Sequence, residues 1–292
     1  MNTKNITRSI MDKYNIKANK GFGQNFLIDD NILQGIVDAA NISDEDIIVE
    51  IGPGLGNLTE YLLKNAKKVI AFEIDDRMIK ILEDRFKNFN NFELINKDIL
   101  SVNLDNYIYD SLTHIKNFKG KIKVVANLPY YITTPIIFSL FESVTCIDEI
   151  VVMVQKEVAD RIVANPGNKD YGVLTVMCDY YSNSEIVINV PRECFNPAPN
   201  VSSAVVKLIK NDDNKLEDDE AFKELVKKAF SQRRKKVINS LINMNYLNLD
   251  KNTLKEGLIS LGIKDTARAE ELSLEQYIKL AEYYKEKKTN DI

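Results

Sequence analysis

The sequence predicts an α/β fold, a mostly parallel sheet with helices on both faces, followed by a small all-helical domain. Three observations carry this reading. Short apolar runs alternate with helix-patterned stretches between residues 47 and 154. Three glycines at alternate positions follow the first of those runs, and beyond residue 220 only helical patterning remains.

Taken in order, IIVEI (47–51), VIAFEI (69–74), FELI (92–95), VVAN (124–127) and IVVMV (150–154) read as strands. LTEYLLKN and RMIKILEDRF, lying between them, have apolar residues at helical spacing and supply the crossovers that parallel neighbours need. After Tyr171 come TVMCDYY and then EIVINV and SAVVKLI, two β-rich runs separated by PRECFNPAPN. Late strands joined in this way suit an antiparallel edge on a mostly parallel sheet. NDDNKLEDDE (211–220) reads as an acidic linker. AFKELVKKAF, KKVINSLINM, TLKEGLISLGI and LEQYIKLAEYYKEKK then form the helical domain, with a frayed end. The expected boundaries are 1–210 with a basic N-terminal arm, the linker 211–220, and 221–292.

Composition narrows the chemistry. The 292 residues are 45% hydrophobic and 28% charged, as in an ordinary soluble protein. No apolar run approaches the roughly 20 residues that cross a bilayer, and the N-terminal stretch lacks the apolar core of a signal peptide. Cys146, Cys178 and Cys194 are scattered without metal-ligand spacing, so no metal is expected. The single histidine, His114, lies in a polar stretch, which sets aside zinc chemistry and a Ser–His–Asp triad. A net charge of −4 argues against wholesale coating of nucleic acid, yet the charge is uneven. Lys4, Arg8, Lys13, Lys17 and Lys20 stand against one acid, Asp12. KKAFSQRRKKVINSL gathers Lys227, Lys228 and the run Arg233, Arg234, Lys235 and Lys236. Such patches are either directed polyanion contacts or solvated faces, and the last four are candidate RNA contacts.

In IIVEIGPGLGNLTEYLL, Glu50, Gly52, Gly54 and Gly56 sit between a strand and a helix. Glycines there let the backbone approach a ligand closely. The dinucleotide spacing G-x-G-x-x-G fails, because Asn57 or Thr59 occupies the third position. The spacing is instead E-x-G-x-G-x-G, which resembles the loop of class I methyltransferases that bind S-adenosylmethionine. Glu73, at the tip of the second strand, can accept two hydrogen bonds from a ribose diol. Asp75 reads as the N-cap of the following helix. Asp98 either accepts from an adenine amino group or closes a strand-end turn.

The fourth strand runs into NLPYY. An exocyclic adenine amine is a poor nucleophile because its lone pair is delocalised into the ring. Accepting hydrogen bonds from both amino protons frees that lone pair. The Asn127 side-chain carbonyl and the Leu128 backbone carbonyl can be those acceptors. Pro129 has no N–H and fixes φ, which aims the turn. Tyr130 can stack on an extruded base, with Tyr131 lining the pocket. Phe195 packs either on the other face of the base or into the core.

GFGQNFL (21–27), EIGPGLGNLT, ANLPYYITTPI, QKEVADRI, FNPAPNVSSAVVKL, AFSQRRKK and RAEELS together resemble the ribosomal RNA adenine dimethyltransferases, and among them the bacterial small-subunit (16S) group. The resemblance runs from about residue 8 to 284. It implies a Rossmann-like class I fold and S-adenosylmethionine as cofactor. It also implies transfer of four methyls to two adjacent adenosines near the 3′ end of 16S rRNA in the immature small subunit. By position, Asn25, Leu27, Gly52, Gly54, Glu73, Asp98 and Asn127 would contact the cofactor. A monomer in the bacterial cytoplasm, without membrane contact, is the corresponding expectation. The rival readings are a large-subunit adenine methylase, a DNA adenine methyltransferase and a non-catalytic assembly factor.

Overall fold

Apolar runs that are buried on both faces need neighbours on both sides, and the strands of this protein are placed accordingly. The computed structural model describes residues 2–19, 23–115, 117–214, 216, 219–242, 244–245, 247 and 249–290. Lys20, Gly21 and Phe22 lie outside the described residues, as do parts of the acidic stretch 211–220.

The chain opens with α1 (Thr3–Lys13), β1 (Phe26–Leu27) and α2 (Asp30–Ala40), none of which shows as a strand or helix in the patterning above. The alternating region follows: β2 (Ile47–Ile51), α3 (Asn57–Asn65), β3 (Lys68–Glu73), α4 (Asp76–Phe86), β4 (Phe92–Asn96), α5 (Leu104–Thr113), β5 (Ile122–Asn127), α6 (Thr133–Ser143) and β6 (Glu149–Gln155). Then come α7 (Lys156–Ile162), α8 (Val173–Tyr181), β7 (Ser182–Val190), β8 (Phe195–Asn196) and β9 (Ser203–Lys210). The chain ends in α9 (Glu220–Phe230), α10 (Val237–Leu241), α11 (Lys251–Ser260) and α12 (Leu274–Asn290).

Among the described residues the main sheet has seven strands in the order β4-β3-β2-β5-β6-β9-β7. β2, β3, β4, β5 and β6 pair in parallel, and β9 runs antiparallel to β6, as the late β-rich runs predict. Each strand of the alternating region lies within two residues of its expected bounds. β2 is buried at every position, and α2 and α3 cover one face of the sheet through Leu33, Ile36, Leu58 and Leu62. Asp29 caps α2 and Asp75 caps α4, the latter by accepting from Arg77 N–H.

The chain divides into two compact units, though not at a single linker. One comprises Met1–Ala159 and Ser184–Lys210; the other comprises Asp160–Asn183 and Asn211–Ile292. The unbroken 1–210 domain expected from the acidic stretch therefore needs correction. The reason is aromatic packing: Tyr180 of α8 stacks on Phe222 of α9, with ring centroids 4.2 Å apart. In the same unit the Tyr171 hydroxyl donates to the Leu272 carbonyl at 2.9 Å.

Candidate active site

β2 pairs with β3 on one side and β5 on the other, so the strand order reverses between β2 and β5. Loops leaving the carboxyl ends of two such strands diverge and open a crevice. The loop after Ile51 and the turn after Asn127 flank it. Gly52, Gly54 and Gly56 all have positive φ, at 68°, 58° and 81°. At Gly56 the packing is tighter still, since a Cβ would stand 2.5 Å from a Phe86 ring carbon of α4. This glycine seats a helix, while Gly52 and Gly54 present backbone to the crevice.

The result is an open cleft. Its walls include Asn25, Leu27, Gly52, Gly54, Glu73, Asn127, Leu128, Pro129 and Tyr130. Residues selected from four separate stretches of sequence thus converge on one cavity. Tyr131 is also on the wall and 54% exposed.

Two expected residues are not on it. Phe195 is 3% exposed, pairs with Leu27 between β8 and β1, and belongs to the core. This packing matches the core reading of the two. Asp98 accepts from Leu100 N–H at 3.0 Å and caps a single 3₁₀ turn, Ile99–Ser101. That is the geometry of a strand-end turn, formed through one carboxylate oxygen. The charge of Asp98, together with that of Glu73, adds to partial burial in raising the Tyr131 phenol.

Several wall residues were not singled out as ligands: Gln24, Glu50, Asn57 and Ile74. Gln24 and Glu50 belong to quoted motifs, but sequence does not show which way they point. Gln24 donates to Asp75 at 2.9 Å and accepts from Asn19 N–H at 2.8 Å, fixing the entry of the N-terminal segment.

Two carboxyls dominate the electrostatics. Glu73 accepts backbone N–H groups from Gly54 (3.1 Å), Ile74 (2.8 Å) and Asp75 (2.9 Å). Burial still raises its pKa, against the pull of those three donors. Glu50 is 1% exposed, and burial pushes its carboxyl to about 8, with Glu73 adding to the rise and Thr59 and Arg85 opposing it. Among the described residues Glu50 Oε2 has no hydrogen-bond partner within ordinary hydrogen-bond geometry. An unpaired buried carboxyl oxygen on a cavity wall calls for a hydrogen-bond partner, and a positive charge placed beside it would draw off its proton. A cofactor bearing a sulfonium and a ribose diol fits that demand.

On the opposite wall, Asn127 Nδ2 donates to the Asn25 carbonyl at 3.5 Å, and its amide oxygen takes no donor among the described residues. The Tyr130 hydroxyl and Ser203 Oγ lie 2.7 Å apart, which anchors the ring, and burial raises the phenol.

The basic run of the helical unit is not uniformly available. Arg233 pairs with Glu270 at 2.7 Å and donates to the carbonyl of Lys169. Its guanidinium is thereby tied within the unit, though the residue is itself exposed. Arg234, Lys235 and Lys236 are exposed. In the N-terminal arm, Lys13 likewise pairs with Asp84, at 2.8 Å.

A parallel sheet closed by one antiparallel strand, with a glycine loop and an acidic strand tip at its switch point, is the class I methyltransferase fold that binds S-adenosylmethionine. A family model described as "Ribosomal RNA adenine dimethylase" matches residues 15–286, and the chain belongs to that family. It is an S-adenosylmethionine-dependent rRNA adenine dimethyltransferase. Over 284 residues it is 46% identical to "Ribosomal RNA small subunit methyltransferase A" of Lachnoclostridium phytofermentans, covering 96% of each chain. It is 45% identical to the protein of the same description from Streptococcus pyogenes over 287 residues, 96% of this chain and 97% of that one. Among solved structures it resembles a dimethyladenosine transferase from Plasmodium falciparum, with a TM-score of 0.68, 30% identity, and coverage of 86% of this chain and 94% of that one. It also resembles the 23S rRNA methyltransferase ErmE, with a TM-score of 0.65, 26% identity, and coverage of 89% and 100%.

Proposed function

We propose that this chain dimethylates N6 of two adjacent adenosines near the 3′ end of 16S rRNA in the immature small subunit. In this reading it acts as a monomer in the bacterial cytoplasm. The observation that carries the site assignment is that Asn127 shares one cleft with Gly52 and Glu73. The small-subunit substrate is supported by the descriptions of the relatives and by exposed Arg234, Lys235 and Lys236.

S-adenosylmethionine supplies an electrophilic sulfonium methyl. The residues of the chain do the rest. Gly52 and Gly54 admit the cofactor to the backbone, Glu73 accepts from the ribose hydroxyls, and Glu50 offers its unpaired oxygen to positive charge. Asn127 Oδ1 and the Leu128 carbonyl accept the two amino protons of adenine and free its lone pair. Tyr130, held by Ser203, gives the extruded base a stacking face. No strong base is required, because a methylated, cationic amine loses its proton readily.

The test is methyl incorporation into immature small subunits and, separately, into protein-free large-subunit RNA, followed by mass-spectrometric mapping. Two neighbouring dimethyladenosines in the small subunit are expected. Exclusive labelling of large-subunit RNA would overturn the assignment.

A further inference from the structure

Asn57 opens α3 directly after the glycine loop and is 6% exposed. Nothing local requires an amide there: Gly56 occupies the N-cap position and α3 has no side-chain cap. A buried carboxamide is costly unless its polar atoms are paired. Here each pairing reaches a different part of the chain. Nδ2 donates to the Thr7 hydroxyl of α1 at 2.9 Å and to the Leu27 carbonyl of β1 at 2.8 Å. Oδ1 accepts from Arg85 of α4 at 3.2 Å. Arg85 also donates to the Leu55 carbonyl in the loop at 2.5 Å and pairs with Glu60 at 2.6 Å.

The two Nδ2 bonds are the informative ones. Leu27 ends the segment Gly23–Leu27, which forms one wall of the cleft. Thr7 is fully buried in the middle of α1 and does not line the cleft. Other polar ties of α1 lie towards its ends, where Thr3 donates to Asp30 and Lys13 pairs with Asp84. One side chain therefore joins the centre of the N-terminal helix to the cleft wall that follows it in sequence.

We propose that Asn57 is a positioning residue that couples docking of α1 to formation of the cofactor cleft. With the Thr7–Asn57–Leu27 bridge made, the wall is held in place and the cofactor binds a preformed site. With it broken, binding has to order the wall as well. By linkage, the cofactor then stabilises the docked helix as much as the docked helix favours the cofactor. The inference rests on the cleft being the cofactor site.

The experiment measures S-adenosylmethionine affinity by calorimetry and amide exchange across α1 on the full chain. The variants are Thr7→Val, Thr7→Ser, Asn57→Ala and Glu73→Ala. Thr7→Val, nearly isosteric and remote from the cleft, should weaken binding about tenfold, the loss of roughly one buried hydrogen bond. Thr7→Ser should restore it, and Asn57→Ala should weaken it at least as much. Exchange in α1 should slow when cofactor is added to the wild type and quicken in both weakened variants. If Thr7→Val binds cofactor like the wild type and α1 exchange ignores the cofactor, Asn57 is only a packing residue and the inference fails. Should Asn57→Ala not fold, Thr7→Val carries the same decision. If Glu73→Ala also leaves affinity untouched, the cleft reading itself fails, a result distinct from failure of the bridge alone.

Discussion

The two ends of one sheet treat buried charge in opposite ways. At the amino ends of the strands, Lys123 pairs with Asp46 at 2.9 Å and donates to the carbonyls of Ala40 and Asn41, at the carboxyl terminus of α2. Asp46 also accepts N–H groups from Ser43 and Lys121, so burial, which would raise its pKa, is outweighed and the carboxyl lies below its ordinary value. At the carboxyl ends, Glu50 on β2 is equally buried, yet one of its oxygens has no partner among the described residues. Where charge serves only the fold, the chain satisfies it internally. On the cleft wall, Glu50 Oε2 lacks such a partner among the described residues.

That contrast breaks most visibly at the amino end. Lys123→Ala should cost about 3–5 kcal/mol, because it strands Asp46 as a buried unpaired charge. Turnover per folded molecule should stay at the wild-type level, and urea unfolding beside single-turnover assays separates the two quantities. Asn127→Ala should do the reverse. Turnover should fall about 10²–10³-fold, the usual cost of losing one aimed polar group, while the melting temperature and cofactor affinity stay close to wild type. A large loss of stability there would mean that Asn127 is a structural residue.

Glu50 sharpens the comparison through pH. Its native carboxyl, at about 8, lies above the ordinary value of 4.5, so within that window the native state holds more protons than the unfolded chain. Stability should therefore fall as pH rises through the window, by at most about 1.4 kcal/mol per pH unit. Glu50→Gln should flatten this slope, and urea midpoints across the window provide the measurement. The smallest effects belong to the basic run. Alanine at Arg234, Lys235 and Lys236 should reduce the salt dependence of subunit binding. Arg233→Ala, which removes the Glu270 pair, should instead shift the melting temperature slightly and leave the salt slope alone.

How much of this could be read beforehand depended on the range of the interaction. The strands β2 to β6 were legible because continuous apolar runs record burial locally. The glycine loop was legible because its spacing is a backbone requirement. Glu73 and Asn127 followed from their places at strand ends. β1 and β8 were not legible, since two residues carry no periodicity, and with them went the fate of Phe195. The commitment of Arg233 depends on Glu270, 37 residues away, and the role of Asn57 on Thr7, 50 residues away. No pattern within a sequence window marks either pairing.

The interleaving of the two units has a practical consequence. A shortened chain that stops at Lys210 keeps α8 but discards Phe222 and Leu272, the partners of Tyr180 and Tyr171. Two large tyrosines would then face water, and the fragment should self-associate rather than behave as a free-standing catalyst. Grafting the helical part from a relative meets the same obstacle. The graft must carry residues 160–183 together with 211–292, making two splices where the acidic stretch suggests one.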